Sequence, residues 1–296
     1  MHASIRNHII LQGLQSASGV ERIGNYYYIV SDDSPDLYRL DLCWNVVGTA
    51  RLFPSDIRSG DRIPKAIKPD LEAMCLVVEW HGKQELLCFG SGSKTPTRDI
   101  CYRVDVTDPA SPQNMRLISL TALYDILRAA PTILGTQKPN LEGATTTRDA
   151  VLLFQRGNIS GINALMQYPL ATFMNYLDGS ISLAPIPQVS TFTLPKISNR
   201  YAGFSAALTW NDSILFAASV EDTDNEIDDG VTLGSFIGLL QGKEILWVVP
   251  VESNGSIAPV KIEGIAILQV QENLLEIACV TDNDMDTSEI LRIEIK

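Results

Sequence analysis

The sequence Leu37-Tyr38-Arg39-Leu40-Asp41-Leu42 recurs with modest variation in two later parts of the chain. The copies are Cys101-Tyr102-Arg103-Val104-Asp105-Val106 and Ile290-Leu291-Arg292-Ile293-Glu294-Ile295. In each copy apolar residues alternate with an arginine and an acid, which is typical of a half-buried β-strand. Because self-similarity at a regular interval indicates one supersecondary unit used several times, the repeat predicts the architecture before any local propensity does.

Each copy belongs to a longer module. Hydrophobic strands end at intervals of 59, 65, 66 and 60 residues, at Val30, Phe89, Phe154, Val220 and Val280. A turn rich in small, acidic or glycine residues follows each of these strands, and a short strand of small residues precedes it. Each module therefore corresponds to about four antiparallel strands, which is one blade of a β-propeller.

These modules predict an all-β fold with a single β-propeller domain over residues 1–296. We expect five blades, each a four-stranded antiparallel sheet. The last module stops after its third strand, and Ile5 to Gln12 is an extended run without a module of its own. The N-terminal strand is therefore predicted to close the last blade, which leaves no open sheet edge there. Six blades are the alternative if Ala171 to Leu194 forms its own sheet, and Leu117 to Leu127 is predicted to be a helix between modules two and three.

Charge and hydropathy exclude several classes of function. The 296 residues carry 35 acids against 23 bases, a net charge of −12. A protein that binds the phosphate backbone needs a basic surface, so general nucleic-acid binding is excluded, and the same acidity argues against an anionic membrane surface. No apolar run is long enough to span a bilayer. Since Ile9 to Leu11 is too short for the core of a signal peptide, we expect a cytoplasmic protein, or a periplasmic one if a leader had been removed.

A glutamate recurs in the short strand that opens three of the modules. Lys68–Ala73, Lys138–Ala144 and Val260–Ala266 share an apolar-Glu-small core that contains Glu72, Glu142 and Glu263. The first strand of each blade lines the central channel of a propeller, so these carboxylates should converge. Converging carboxylates repel one another unless a cation or an arginine lies between them, and calcium is the hard cation that prefers such ligands. The alternative is that each glutamate accepts backbone N–H bonds within its own blade.

Two arginines and an asparagine complete the predicted ligand-binding set. Arg98 and Arg156 follow the second strand of their modules, where turns approach the channel mouth, and Asn158 lies beside the second of them. The guanidinium groups are candidates to neutralise the glutamates or to bind a small anionic ligand. The fourth module departs from the pattern because Phe204-Ser205 stands where the glutamate is expected, so a site that needs an acid from every blade is in doubt.

Acidic turns supply further candidate metal ligands. Asp282 and Asp284 follow the second strand of the last module, and with Glu142 and Glu263 they form the predicted metal set. The loop is not an EF-hand, because Thr287 and Ile293 occupy the positions of its glycine and closing glutamate. Paired carboxylates such as Asp32 or Asp282 beside a channel glutamate would suit hydrolysis, but no catalytic triad or zinc-protease motif is present, and the catalytic residues stay unknown.

The repeated segments resemble a known group of proteins. The Leu-Glu-Gly and Ile-Glu-Gly segments, Gly90-Ser91-Gly92-Ser93, Arg156-Gly157-Asn158 and Val280–Asp284 are similar to those of an uncharacterised bacterial β-propeller family. That family is distantly similar to the SdiA-regulated and esterase-like phytase propellers. The resemblance covers essentially the whole chain and implies a propeller with calcium or phosphoester chemistry.

Three functional hypotheses follow. The first is a propeller that binds a small ligand or a cation, with calcium as the candidate cofactor, at the mouth of the central channel. The second is a calcium-assisted phosphoesterase or esterase that uses the same mouth. The third is a scaffold that binds a protein partner on its rim.

Overall fold

The computed structural model describes residues 1–53, 56–57, 62–135, 137–224, 230–282 and 287–296. Strands dominate it. The first thirteen are β1 (Ala3–Ile10), β2 (Ala17–Ile23), β3 (Tyr26–Ser31), β4 (Asp36–Leu40), β5 (Val46–Arg51), β6 (Leu71–Trp80), β7 (Lys83–Gly90), β8 (Ile100–Asp105), β9 (Gln113–Ser119), β10 (Leu141–Thr146), β11 (Ala150–Gln155), β12 (Asn163–Pro169) and β13 (Gln188–Phe192). The others are β14 (Lys196–Ile197), β15 (Arg200–Tyr201), β16 (Gly203–Trp210), β17 (Ser213–Asp222), β18 (Val231–Gln241), β19 (Glu244–Ser253), β20 (Ser256–Ile257), β21 (Lys261–Gln271), β22 (Leu274–Asp282) and β23 (Glu289–Ile295). The helices are α1 (Thr121–Arg128), α2 (Pro131–Leu134) and α3 (Leu170–Leu177).

The strands pair in the repeating antiparallel order that the modules predict. Three sheets have four strands each: unit 1 is β2-β3-β4-β5, unit 2 is β6-β7-β8-β9 and unit 3 is β10-β11-β12-β13. A nine-stranded sheet holds two more antiparallel runs, unit 4 (β16-β17-β18-β19) and unit 5 (β21-β22-β23-β1), with β20 beside β19. The all-β class and the repeated four-stranded sheets are therefore confirmed.

The N-terminal strand is the outer strand of unit 5, as predicted. β1 pairs antiparallel with β23 along its length, from Ala3 opposite Ile295 to Ile10 opposite Glu289. Its first residues also pair in parallel with β19, and this short contact joins units 4 and 5 into one sheet. Ala3 is fully buried, so the strand closes a hydrophobic core as well as a sheet edge.

The core is divided among the gaps between units. Within the described residues, hydrophobic clusters fill the gaps between units 1 and 2, 2 and 3, 3 and 4, 4 and 5, and 5 and 1. Successive residues of a strand point to opposite faces, so each sheet contributes side chains to the hydrophobic clusters on both of its faces. Phe89, for example, packs in the gap toward unit 3, whereas Cys88 packs in the gap toward unit 1.

Two expectations about the remaining segments need correction. Residues 171 to 194 do not form a sheet of their own, because they hold α3 and then β13, which pairs with β12. The predicted helix from Leu117 to Leu127 begins later, since Leu117 to Ser119 belong to β9 and α1 starts at Thr121. None of the described helices is both long and apolar enough to cross a bilayer.

Candidate functional site

The innermost strand of each unit carries a β-bulge at the same position. The register between the first and second strands skips one residue, and the skipped residues are Ser18, Glu72, Glu142, Ser205 and Glu263. A bulge turns a side chain away from the regular alternation of the strand. The innermost strands contact one another in the order β2, β6, β10, β16, β21 and back to β2. The five skipped positions therefore belong to neighbouring strands, and three of them carry a carboxylate.

The three glutamates line one cavity of about 360 Å³. We call it the axial cavity. Its charged lining residues come from every unit and from the segment that precedes β6: Asp32, Asp33, Arg62, Lys65, Lys68, Asp70, Glu72, Arg98, Glu142, Arg156, Glu221, Lys261, Glu263 and Asp282. Polar uncharged side chains also line it, namely Ser16, Ser18, Ser93, Asn140 and Asn158, together with the apolar Ile63.

Lys68 and Arg98 neutralise the acids on the side of units 1 and 2. Lys68 Nζ donates to Asp32, lies 3.0 Å from Asp33 Oδ1 and 3.4 Å from Asp70 Oδ1. Arg98 Nη1 donates to Asp70 Oδ2 at 2.5 Å. The predicted counter-charge Arg98 therefore binds an aspartate two residues before Glu72 rather than the glutamate itself. Burial raises the pKa of Asp32 to about 7, because the effect of burial outweighs that of Lys68.

Arg156 joins units 3 and 4. Its Nη1 donates to Glu142 Oε2 at 2.7 Å, and its Nη2 donates to Glu221. The second oxygen of Glu142 accepts a bond of 2.6 Å from Asn140 Nδ2. Glu142 is therefore satisfied on both oxygens, although burial still raises its pKa above the ordinary value.

The fourth module makes room for this arginine at Gly203, two residues before the position that lacks the glutamate. A Cβ atom on Gly203 would lie 2.3 Å from Arg156 Cγ, so the arginine side chain occupies the space above the glycine. The Ser205 hydroxyl at the bulge position lies 3.1 Å from Ser219 Oγ instead of adding a charge. Unit 4 thus has space for the Arg156 side chain of unit 3, whereas the other units carry larger polar residues at the position of Gly203.

Glu263 is the least satisfied carboxylate in the cavity. The residue is 3% exposed, and neither oxygen accepts a hydrogen bond from a described residue. Lys261 Nζ is 3.4 Å from Glu263 Oε1, an ion pair without hydrogen-bond geometry. Burial raises the pKa of Glu263 well above its ordinary value, and Glu142 and Asp282 add to the increase while Lys261 and Arg156 oppose it.

Glu72 lines the same cavity, and acids from several units act on it. Burial raises its pKa well above the ordinary value, and the charges of Asp32, Asp70, Glu142 and Glu263 raise it further. One carboxylate oxygen each from Asp32, Asp70 and Glu72 lie within 4.8 Å of one another. Because Ca²⁺ binds oxygen at 2.3–2.6 Å, two ligands of one ion are at most about 5 Å apart, so this spacing suits a hard cation.

The structure brings together nearly all of the residues that the sequence singled out. Each predicted ligand-binding residue lines the axial cavity: Glu72, Glu142, Glu263, Arg98, Arg156 and Asn158. Asp282 lines it too, whereas Asp284 lies outside the described residues. The alternative in which the glutamates accept backbone N–H bonds finds no such bond among the described residues. Whether these side chains bind a ligand stays a prediction.

Sequence reasoning missed several residues of the cavity, among them Lys68, Asp70, Asn140, Glu221 and Lys261. Asp70, Asn140 and Lys261 stand two residues before Glu72, Glu142 and Glu263. Because a polar residue recurs at the same position before each glutamate, this recurrence could have identified them. Glu221 gave no comparable signal, because it reaches the cavity at an irregularity in the register between β17 and β18.

Comparison with known proteins supports the fold and gives the family. Glutaminyl cyclase from Myxococcus xanthus matches with a TM-score of 0.53 and 11% identity, over 99% of this chain and 97% of that chain. The native arabinanase of Bacillus subtilis gives a TM-score of 0.46 and 12% identity, over 97% and 96%. At this identity the first likeness shows the fold alone, which is propeller-like. A search of curated proteins finds no match. A family model matches residues 13–295, and the chain therefore belongs to the family of unknown function DUF6929.

Proposed function

We propose that this protein is a five-bladed β-propeller that binds a divalent cation of the calcium class in its axial cavity. The blade number is supported by the bulge that recurs in the innermost strand of each unit. It is also supported by the hydrophobic clusters, each of which lies between two neighbouring units and the last of which joins unit 5 to unit 1.

The observation that carries the cation proposal is Glu263. A buried carboxylate without hydrogen bonds costs several kcal/mol as an anion, and its raised pKa has that cause. Glu72 lies in the same cavity, and the negative charges of Glu142 and Glu263 raise its pKa as well. A cation between these carboxylates would remove the repulsion among them. It would also give the Glu263 oxygens the partner that no hydrogen bond provides.

The chemistry of the lining favours a hard cation. Carboxylate and hydroxyl oxygens dominate the acidic side of the cavity, and calcium takes six to eight such ligands. Glu72, Glu142 and Glu263 would supply the protein ligands near the axis, with Asp282 beside them. The four cysteines of the described sheets that are buried lie in the hydrophobic gaps, so the cavity offers no thiolate for a softer metal.

Thermal unfolding with and without calcium tests the proposal. A ligand that binds only the folded state stabilises it by about 2.7 kcal/mol at a hundred times its Kd. For a chain of this size we expect 1 mM Ca²⁺ to raise the Tm by about 5 °C relative to EDTA. Glu263→Gln should abolish the calcium shift, and in EDTA the variant should be at least as stable as the wild type because it removes a poorly paired buried charge.

Glu272→Gln is the matched control, because Glu272 lies in the same unit and is exposed. It should keep the full calcium shift. A wild-type Tm that is the same in calcium and in EDTA would contradict the proposal. Hydrolysis of an ester or phosphomonoester panel that depends on calcium and is lost in Glu263→Gln would extend the proposal from binding to catalysis.

A further inference from the structure

Lys68 contacts two of the three carboxylates, Asp32 and Asp70, that lie with Glu72 at the spacing of a cation site. Its ammonium group donates to Asp32 and lies 3.4 Å from Asp70 Oδ1, and the charge of Glu72 also acts on it. The side chain is 12% exposed. The arrangement is more than an acidic cluster, because the carboxylate of Glu263, which is 3% exposed and accepts no hydrogen bond from a described residue, lines the same cavity.

The position of Lys68 in the chain allows it to leave. Lys68 lies between β5 and β6, outside any strand, and its backbone N–H donates to Pro64 O rather than to a sheet. The acids that it contacts are fixed more firmly. Asp32 follows β3, Asp70 immediately precedes β6, and Glu72 is held at the bulge of β6. A lysine side chain has several rotatable bonds, so withdrawal of the ammonium requires no change in a sheet.

We propose that the ammonium group of Lys68 is an internal competitor for a divalent-cation site formed by Asp32, Asp70 and Glu72. This inference rests on the proposed function and deepens it, because it adds Asp32 and Asp70 to the ligands around Glu72 in the same cavity. In the described state the lysine pairs with Asp32 and Asp70, and the charge of Glu72 acts on it. When Lys68 withdraws, the three carboxylates bind the divalent cation, and the affinity of the cavity is set by how readily the lysine leaves.

The charge balance supports competition rather than joint occupancy. Lys68 Nζ lies within 3.4 Å of oxygens from Asp32, Asp33 and Asp70. A divalent ion bound to oxygens of the same cluster would lie within a few ångströms of the ammonium, where two positive charges repel strongly in a partly buried site. The ammonium group is held by ion pairs to three carboxylates, so it must move away before a divalent ion can bind to them.

Titration calorimetry with CaCl₂ on the full chain tests the inference. Lys68→Met removes the charge while keeping much of the side-chain volume, and we expect its Kd for calcium to be at least about tenfold lower than that of the wild type, or about 1.4 kcal/mol. Lys68→Arg keeps the charge and should bind no tighter than the wild type. Lys83→Met is the matched control, because Lys83 is exposed on β7 and does not line the cavity, and it should bind like the wild type.

The Lys68→Met/Asp32→Asn double variant locates the effect. It should lose the gain in affinity because Asp32 is one of the three ligands. A Kd for Lys68→Met within twofold of the wild-type value would overturn the inference, and so would a gain that persists in the double variant. If Lys68→Met unfolds in EDTA, circular dichroism in calcium replaces calorimetry: recovery of the sheet spectrum supports the inference, and no recovery overturns it.

The outcomes separate this inference from the proposed function. Calcium binding by the wild type, lost in Glu263→Gln and unchanged in Lys68→Met, would uphold the axial cation site and refute the role of Lys68. Binding by Lys68→Met but not by the wild type would uphold the competition and refute the wild-type cation site. Binding by neither protein refutes both.

Discussion

At the residue scale, the residues at the five bulge positions determine which innermost strands add a carboxylate to the axial cavity. Three of them are glutamates that add charge to the cavity. Ser18 instead donates to the backbone oxygen of Leu71 on the next innermost strand. Ser205 lies beside Ser219, whose hydroxyl donates to Ile262 O on the following innermost strand at 2.9 Å. The serines thus link neighbouring units, and the glutamates create the site.

Glu21 gives a prediction of its own outside the cavity. It is 8% exposed on β2, and burial raises its pKa from 4.5 to about 8. Because the folded-state pKa is the higher one, its contribution to stability is complete below pH 4.5 and is lost as the pH rises through about 8. At about 1.4 kcal/mol per pKa unit the loss amounts to several kcal/mol. Glu21→Gln should therefore flatten the fall in stability between about pH 5 and pH 8 in urea unfolding.

The control for this prediction is Glu79→Gln, since Glu79 is exposed on the neighbouring strand β6. Its profile should follow that of the wild type. Other buried acids also titrate in this range, so the quantity to compare is the difference between variant and wild type. Parallel profiles for Glu21→Gln and the wild type would show that Glu21 is not protonated in the folded protein.

At the element scale, a side chain that follows β11 of unit 3 lies against the innermost strand of unit 4. That strand has Gly203 where Arg156 crosses it. The arginine then reaches Glu221 while still bound to Glu142. The missing side chain at Gly203 therefore leaves the space in which Arg156 lies, and the glycine and the two ion pairs of the arginine depend on one another.

Gly203→Ala tests this arrangement. The added Cβ would lie 2.3 Å from Arg156 Cγ, so the arginine must move and its two ion pairs must break. Breaking buried pairs typically costs about 3–5 kcal/mol, and we expect a loss of that order in urea unfolding. Gly48→Ala is the control, because its Cβ would meet only the end of the Arg39 side chain. A loss below about 1 kcal/mol for Gly203→Ala would contradict the proposed crossing.

At the scale of the whole molecule, the ends of the chain meet in one unit. β1 brings the first residues against β23, and Ala3 joins the core between units 4 and 5. His2 and Lys296 exchange backbone hydrogen bonds of 2.8 and 3.0 Å. The outer edge of unit 5 is thereby paired, and the innermost strand of that unit is held against unit 1.

Deleting residues 1–10 should leave the outer edge of unit 5 at β23 unpaired. Loss of an outer strand and of the Ala3 contact should cost several kcal/mol, which corresponds to a fall in Tm of about 10 °C. The exposed edge of β23 should also favour self-association, measurable by size-exclusion chromatography. A synthetic peptide of residues 1–10 should restore the Tm by adding the missing strand, whereas a peptide of scrambled sequence should not. An unchanged Tm after deletion would contradict a closing role for β1.

The helices show the limit of local patterns. The predicted helix is present as α1, but it begins at Thr121 rather than at Leu117. Leu117 to Ser119 instead pair with β8 before the chain turns. The two-turn helix α3 was missed. Its sequence is rich in apolar and aromatic residues, and it buries Phe173, Met174 and Leu177 in the gap between units 2 and 3. A segment this short gives too little periodicity to distinguish a helix from a strand.

By itself the sequence determined that four-stranded antiparallel units repeat, and that glutamates recur at one position of the innermost strand, because both are properties of local spacing. The tertiary structure alone decided how those glutamates are satisfied. Glu142 meets Arg156 and Asn140, whereas Glu263 keeps two oxygens without a hydrogen bond from any described residue. Lys68 reaches Asp32 across 36 positions of the sequence. Lys68 and Asp32 come from neighbouring units, as do Arg156 and Glu221, and only the packing of one sheet against the next brings these pairs together.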